Sequence, residues 1–486
     1  MVWKAEMIKD KPPYRVPSMR EIEQIPWNGR NVVSTFSGCG GSCLGFRLAG
    51  YRILWANEFI PAARDTYKAN HPHSILDARD IRKIKPDEIL KAIHLNQGEL
   101  DVFEGSPPCA SFSTAGKREA SWGKVKDYSD TRQRVDDLFF EYVRLLKGLQ
   151  PKVFVAENVS GLVKGTAKGY FLEILKELKS CGYTVEAKIL DAQWLGVPQM
   201  RQRLIFVGVR NDLVEQYKIR PAHPAPLPYT YTVREALPWI IRQGAGPVFG
   251  TEGWRDTSTS PSGTIGASPA FGNGLSPSSL IEAIPVRAIH DAKGQPQYSK
   301  GDITDTPSPT LTTMQQWYIE EQHVPIRAIR DDRGAFGNGS DITDQPSPTV
   351  LSGSVGTHWI EEQIVEPESD ISKFAIGREW DKLKPGEQSQ KYFSLQRAPL
   401  DGPCPTVTQT AGTAWSPAAA AGVTHPTEKR KFSIAELKRI CAFPDDFILT
   451  GTYSQQWERL GRAVPPVMME KVAKTIQERI LDQCEQ

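Results

Sequence analysis

The stretch Asn31-Val-Val-Ser-Thr-Phe-Ser-Gly-Cys-Gly-Gly41 decides the fold. Its first residues, rich in β-branched side chains, read as a buried strand, and its glycines read as a tight turn into a helix. A helix that starts there offers free N–H groups to a negative charge. About 20 residues further on, Ile53-Leu-Trp-Ala-Asn-Glu-Phe59 is again a strand, closed by an acid, Glu58. The pattern continues to residue 215. Strands are predicted at Asn31–Thr35, Arg52–Asn57, Val102–Gly105, Val153–Glu157, Thr184–Asp191 and Leu204–Val209, with helices such as Pro61–Asn70, Asp136–Leu149 and Gly169–Cys181 between them. Such alternation implies a mostly parallel α/β sheet with helices on both faces and ligands at the carboxyl ends of its strands.

Composition sets the limits around this frame. A chain of 486 residues has room for about two or three domains. With 24% charged and 39% hydrophobic residues it is an ordinary globular chain, and wholesale disorder is excluded. It has no run of about 18 apolar residues, so no membrane span is expected. The leading residues MVWKAEMIKDKPPYRVP lack the apolar core of a secretory signal. The seven cysteines are scattered and form no CxxC pair, which speaks against a zinc site or a disulfide framework. No metal is expected, and a reducing, cytoplasmic compartment is. The net charge of +2 neither demands nor forbids nucleic acid.

Four segments follow from the pattern. Residues 1–30 are a polar extension in which Ser18 and Glu21 have capping-box spacing. Residues 31–215 are the α/β segment. Residues 216–428 are dense in Pro, Gly, Ser and Thr and contain an internal repeat: Pro285 to Gln322 recurs as Pro325 to Gln363, a period of about 40 residues. Fainter echoes begin at Ser260 and Asp401. Pro-Ser-Pro followed by alternating Thr and apolar residues predicts a turn feeding a short strand, and hence a second, β-rich domain of repeated hairpins. Residues 429–486 return to helical spacing, with Ser433 and Glu436 at capping-box spacing and Pro465 and Pro466 opening a last helix that runs to Leu481.

Chemistry concentrates at the ends of the predicted strands. In Gly105-Ser-Pro-Pro-Cys-Ala-Ser-Phe-Ser113 two prolines fix the backbone ahead of Cys109, a rigid loop suited to a nucleophile; the alternative is an inert buried thiol. Glu157, in Glu157-Asn-Val159, is a carboxyl at the mouth of an apolar strand, a candidate general acid. In Gln199-Met-Arg-Gln-Arg203 alternate residues share a face, so Gln199, Arg201 and Arg203 point one way, and two guanidiniums can hold a carboxylate, a phosphate or a base carbonyl. The alternative is an ordinary charged edge strand. Glu58 suits a ribose diol and Asp80 follows the next strand-like segment, though either acid taken singly reads better as a solvated surface charge.

In this order the motifs resemble the DNA cytosine-5 methyltransferase family: the glycine turn, the Pro-Pro-Cys loop, Glu157-Asn-Val159, Gln199-Met-Arg-Gln-Arg203, the tail RKFSIAELKRICAFPDDF and Gly461-Arg-Ala-Val-Pro-Pro466. The ordered set is far more specific than any one motif. The resemblance covers roughly residues 31–210 and 430–480 and implies a Rossmann-like α/β methyltransferase fold, with target recognition in the middle segment. It implies S-adenosylmethionine as cofactor, lined by Phe36, Gly38, Gly40, Gly41, Phe59 and Pro107. Glu58 would hold the ribose, Asp80 and Ile81 would frame the adenine, and Leu138 and Val464 match further contacts. It implies that Cys109 attacks C6 of a flipped-out cytosine in duplex DNA, that Glu157 protonates N3, and that Arg201 and Arg203 fix the base and the Glu157 charge. A monomeric, nucleoid-associated enzyme of a prokaryote or its phage is expected, with a restriction endonuclease as a candidate partner. The rivals are a tRNA-directed member of the family and a catalytically silent DNA-binding relative.

The sequence departs from the family pattern at three places. Ser34 stands where Asp is usual, and Ala110 where Gln follows the cysteine. Arg462 stands where Asn is usual, which adds a full charge beside the pocket. That cation has three readings: a DNA phosphate contact, a group that lowers the Cys109 pKa, or a partner for an acidic donor. The third leads to carboxy-S-adenosylmethionine and 5-carboxymethylcytosine. In the repeats, Arg287, Arg327, Arg330 and Arg333 are candidates for guanine or phosphate contacts, against the plainer reading of the repeats as scaffold hairpins.

Overall fold

The computed structural model describes residues 11–108, 126–127, 132–133, 138–163, 168–240, 244–245, 255–256, 286–291, 317–321, 326–331, 358–362, 369–392, 394–409 and 422–485. The chain divides into two compact units: Met1–Ala236 with Ile371–Pro426 and Ile434–Gln486, and Leu237–Asp370 with Thr427–Ser433.

The first unit is built on seven strands: β1 (Asn31–Thr35), β2 (Arg52–Asn57), β3 (Ile75–Asp77), β4 (Val102–Gly105), β5 (Val153–Val159), β6 (Tyr183–Asp191) and β7 (Gln202–Arg210). Their order across the sheet is β3-β2-β1-β4-β5-β7-β6. The first five run parallel. β7 is antiparallel to both β5 and β6, so the sheet is mixed at this edge. The strand signal does not carry direction, because side chains alternate with the same period either way. This pairing also lengthens β5 beyond its predicted end at Glu157: Asn158 and Val159 are held by Leu204 and Arg203. Glu157 therefore sits inside a ladder, opposite Ile205.

Both faces are covered, as the near-continuous apolar strands require. Val32, Val102, Val153, Val155, Ile205 and Val207 face one core, which includes Phe46 of α1 (Gly41–Leu48). Their neighbours Val33, Phe103, Phe154, Ala156, Leu204 and Phe206 face the other core. The helices on that second face include α3 (Pro86–Ile93), α4 (Leu138–Leu149) and α5 (Lys168–Ser180). α2 (Pro61–Asn70) follows β2. The tail adds α6 (Ile434–Ile440), α7 (Tyr453–Arg462) and α8 (Pro466–Ile476). α8 places Met468, Met469, Val472, Ala473 and Ile476 in the first core. Pro466 opens α8, and the helix continues as a π turn over Gln477–Leu481. Ser18 and Glu21 form the capping box of a one-turn helix, Met19–Glu23.

The Pro-rich composition begins at residue 216, but the contacts place Ile371–Pro426 in the first unit. Ile371, Ile376, Trp380, Leu383 and Leu395 make a small core, and Cys404 pairs with Gln199 in parallel. In that pairing the Met200 N–H donates to Cys404 O at 2.8 Å, and the Cys404 N–H to Pro198 O at 2.9 Å.

In the second unit the repeats form two hairpins, β8 (Val286–Asp291) with β9 (Trp317–Glu321), and β10 (Ile326–Asp331) with β11 (His358–Glu362). Their registers match: Ile289 faces Ile319 as Ile329 faces Ile360, and each register shifts at the residue before the shared alanine. The strands flank the Pro-Ser-Pro segments, while the strand expected after each Pro-Ser-Pro lies outside the described residues. Arg287, Arg327 and Arg330 fall on strands, and Arg333 lies outside the described residues. Among the described residues no helix is long and apolar enough to cross a membrane, and no cluster of three or more His, Cys, Asp or Glu could hold a metal.

Candidate active site

The predicted site residues that are described all fall in the first unit, mostly at the carboxyl ends of β1, β2, β4 and β5. After β1 the chain turns through left-handed backbone at Phe36 (φ 53°), Gly38 (φ 57°) and Gly40 (φ 89°). A non-glycine residue in this region is strained, by about 1 kcal/mol or more, so neighbours must hold it there. The Ser37 N–H donates to Asn57 O at 3.1 Å, and the Gly40 N–H closes the turn on Ser37 O at 2.9 Å. Gly41 then starts α1 against the tail: a Cβ there would lie 2.5 Å from Val464 O. A Cβ on Gly38 would meet nothing within 4 Å, so this turn presents an open side.

Glu58 closes β2 and is buried. Its carboxylate accepts from the Gly38 N–H and from the Ile60 N–H, each at 2.7 Å. Burial raises its pKa, and the two N–H donors with the charges of Arg459 and Arg462 oppose that rise. Phe59 beside it is half-buried. Asp80 accepts from the Arg82 N–H at 3.0 Å, capping the short helix Ile81–Lys83, and its second oxygen lies 3.0 Å from the Arg82 guanidinium. Ile81 and Leu138 are buried in the second core, and Phe36 packs against that core. Sequence reasoning missed Asn57. Its side-chain amide donates to Asp77 O and Arg79 O, both at 2.9 Å, and so fixes the segment that leads to Asp80. The available signal was one amide at the end of an otherwise apolar strand.

The second half of the site starts at Gly105. A Cβ here would come within 2.5 Å of Thr35 Oγ1 and 2.7 Å of the Tyr142 ring, so the close approach of β1, β4 and α4 requires glycine. Pro107 O accepts from Asn158 Nδ2 at 3.1 Å, which ties the Pro-Pro loop to β5. Cys109 and Ala110 lie outside the described residues.

Glu157 is buried and pairs with Arg203, Nε to Oε1 at 2.7 Å. The expected alternation holds: Gln199 and Arg201 are buried, while Met200 is exposed. The two arginines nevertheless do different things. Arg201 donates from Nη1 to Val407 O at 3.0 Å and from Nη2 to Gly461 O at 2.8 Å. It was expected to share the Glu157 charge with Arg203, but its bonds go to backbone carbonyls instead. Burial pulls the Arg201 pKa down to about 9, with the neighbouring Arg203 charge adding to that. Burial also lowers the Arg203 pKa, opposed by Glu157.

Arg462 ends α7. Its Nη2 lies 2.7 Å from Oε1 of Glu458, a buried acid one turn earlier that sequence reasoning did not single out. Val464 is buried in the first core.

A doubly covered sheet, a glycine turn after its first strand, an acid closing the second and a carboxylate–arginine pair on the fifth define a Rossmann-like methyltransferase fold. The solved structures agree. A crystal structure described as that of a DNA modification methyltransferase encoded within an E. coli prophage superposes with a TM-score of 0.53 at 19% identity, covering 93% of this chain and all of that one. The model of the C-5 cytosine-specific DNA methylase family matches residues 30–241 and 299–478, and the chain belongs to that family. It is 40% identical over 229 residues to the Type II methyltransferase M.NgoPII of Neisseria gonorrhoeae, an alignment that covers 47% of this chain and 62% of that protein. The chain therefore spans less than two thirds of the M.NgoPII length in that match. With the Type II methyltransferase M.DdeI of Desulfomicrobium norvegicum it shares 27% identity over 465 residues, 92% of this chain and 88% of that protein.

Proposed function

We propose that this protein transfers a methyl group from S-adenosylmethionine to C5 of a cytosine flipped out of duplex DNA. The observation that carries this reading is the buried Arg203–Glu157 pair on β5 and β7, beside the loop that leads to Cys109. A carboxyl held in place by a guanidinium is suited to grip N3 and N4 of cytosine and to no other obvious task in the core.

The residues at the glycine turn fit the cofactor. Gly38 leaves an open side next to Glu58, and each Glu58 oxygen, bonded once to backbone, keeps acceptor capacity for a ribose hydroxyl. In this reading Phe36, Gly38, Gly40, Gly41, Phe59, Asp80, Ile81, Pro107, Leu138 and Val464 complete that site. When bound, S-adenosylmethionine supplies an electrophilic methyl group on a sulfonium.

The chain's own residues prepare the base. The Cys109 thiolate adds to C6 and interrupts the aromaticity of the ring. Glu157 gives a proton to N3, so the electrons delivered by sulfur reach C5 instead of building charge on the ring. Arg203 orients the Glu157 carboxyl and balances its charge. After C5 has reacted, its proton leaves to a base, Cys109 departs from C6 as the thiolate, N3 returns its proton to the Glu157 carboxylate, and the ring is aromatic again. Arg201 acts one step back, holding the chain segments around Arg203.

Glu458 already gives Arg462 a counter-charge, which favours ordinary S-adenosylmethionine over carboxy-S-adenosylmethionine as donor. The Type II relatives support a restriction endonuclease as partner. The matched hairpins of the second unit support a target-recognition role for that unit, in a monomeric, DNA-bound enzyme.

The test is a pool of duplex oligonucleotides of varied sequence containing 5-fluorocytosine, incubated with S-adenosylmethionine. Fluorine cannot leave C5 as a proton does, so the adduct persists. Wild-type protein should form a crosslink stable to denaturation, and Cys109→Ala none. Absence of the crosslink with wild-type protein refutes the reading, and crosslinking to tRNA alone transfers it to the RNA-directed rival.

A further inference from the structure

Glu104 is 1% exposed in the middle of the sheet, one residue before Gly105 and the Pro-Pro loop. A carboxyl in such a place costs several kcal/mol unless it has work that an apolar side chain cannot do. Its neighbours show that work. β1 and β4 run in parallel with Ser34 directly beside Glu104. Glu104 Oε2 accepts from Ser34 Oγ at 2.6 Å, and Ser34 Oγ lies 2.8 Å from Ser37 Oγ. While the Glu104 carboxylate takes the single Ser34 proton, the Ser37 hydroxyl is the donor in the second bond.

Ser37 is the residue on which the glycine turn closes, through the Gly40 N–H, and it follows the strained Phe36. The chain Ser37 to Ser34 to Glu104 therefore clamps the turn whose next residue, Gly38, donates to Glu58. The resemblance read from the sequence leads to the expectation of an Asp at the position of Ser34. Here the serine brings no charge of its own to the turn, and the acid stands on the adjacent strand instead, with one oxygen 2.6 Å from the Ser34 hydroxyl that takes the place of the aspartate carboxylate.

We propose that Glu104 is a positioning residue for the cofactor turn, supplying from β4 the carboxyl that holds Ser34 and, through it, Ser37. The inference rests on the cofactor reading above. Burial pushes the Glu104 pKa up to about 7, the Ser34 and Ser42 hydroxyls oppose this, and the Glu157 charge adds to it. Either form keeps the bond to Ser34, as acceptor or as donor.

The test measures binding of S-adenosylhomocysteine by isothermal titration calorimetry at neutral pH, with circular dichroism to show that each variant is folded. Four proteins are compared: wild type, E104Q, E104V and the double variant S34D/E104V. E104V should weaken binding about tenfold, equivalent to about 1.4 kcal/mol. E104Q should stay within about threefold of wild type, because the amide retains the Ser34 bond. S34D/E104V should regain most of the loss, an outcome that a purely space-filling Glu104 would not produce. Equal affinity of E104V and wild type overturns the proposal, as does a double variant no better than E104V. If E104V does not fold, the proposal stands or falls on S34D/E104V: binding within about threefold of wild type supports it and a loss of about tenfold overturns it. Wild-type protein that does not bind S-adenosylhomocysteine at all overturns the cofactor reading itself.

Discussion

Adding one methyl group at Gly45 tests the packing that carries the cofactor turn. Gly45 lies in the middle of α1, where that helix crosses α8. A Cβ there would lie 2.5 Å from Met469 Cβ, 2.6 Å from Pro466 O and 3.0 Å from Glu470 N. Carbon atoms rest at about 3.5–4.0 Å, so the methyl group intrudes by about 1 Å. All three atoms belong to, or are fixed by, the α8 backbone and cannot rotate aside. The helices must part, and overpacking of this kind costs typically about 1–3 kcal/mol, here at the upper end. The better helix propensity of alanine returns about 1 kcal/mol, so G45A should be destabilised by about 2 kcal/mol. G169A is the matched control. Gly169 sits in the first turn of α5, and its Cβ would meet nothing within 4 Å, so only the propensity gain remains, about 0.5–1 kcal/mol of stabilisation. Urea unfolding at room temperature followed by circular dichroism reads both. S-adenosylhomocysteine affinity should fall in G45A alone, because parting α1 from α8 draws Gly41 away from Val464. Two variants that shift stability in the same direction, or a G45A as stable as wild type, would refute the close-packed α1–α8 contact.

Two further outcomes follow from the charges. R203A leaves the buried Glu157 without its guanidinium, so turnover should fall at least about a hundredfold while S-adenosylhomocysteine still binds within about threefold of wild type; single-turnover methylation and calorimetry check the pair of values, and loss of both together would place Arg203 in the fold alone. Glu104 has a raised folded pKa of about 7 against an ordinary value near 4.5, so its stabilising proton is fully present below about pH 4.5 and is lost as pH climbs through 7, at most about 3 kcal/mol by linkage. E104Q carries no such proton, so its stability relative to wild type should rise between about pH 5 and 8 in urea unfolding, and a difference flat over that window would mean that Glu104 titrates as a solvated acid.

Much of this architecture is legible in the residues. β1, β2 and β4 end at Thr35, Asn57 and Gly105, as their patterns predict. The glycines of the turn announce positive φ, and Gly38 and Gly40 have it. What the residues do not announce is long-range. Period-two alternation is blind to strand direction, so the antiparallel course of β7 and the extension of β5 past Glu157 emerge only from the pairing of Asn158 and Val159. Composition groups 371–409 with the second, β-rich domain, yet its contacts, the Gln199–Cys404 bridge across some two hundred residues among them, place it in the first unit. Glu104 looks like an interruption in Val-Phe-Glu-Gly, and only the register that sets it beside Ser34 gives it a purpose. The residues expected at the carboxyl ends of β1, β2 and β4 lie along one edge of the sheet, because parallel strands all deliver their ends there.

The two arginines of Gln199-Met-Arg-Gln-Arg203 illustrate why a motif can be highly specific without every member touching the chemistry. Arg203 meets the Glu157 carboxylate, so its charge is matched. Arg201 meets two carbonyls from segments far apart in sequence, Val407 and Gly461. A buried cation with no close acid of its own is expensive, and burial depresses its pKa accordingly. Lysine, a point charge on a flexible stem, lacks the planar fork that reaches both carbonyls at 3.0 and 2.8 Å. The same Gly461 also lies against the backbone at Thr408 and Gln409, where a Cβ would come within 2.8 Å, so the junction leaves no room for a looser substitute. Arg201 therefore fastens the end of α7 and the chain at 407 to the strand that presents Arg203. Two residues apart on one extended face, one guanidinium reaches the Glu157 carboxyl while the other holds the chain at Val407 and Gly461.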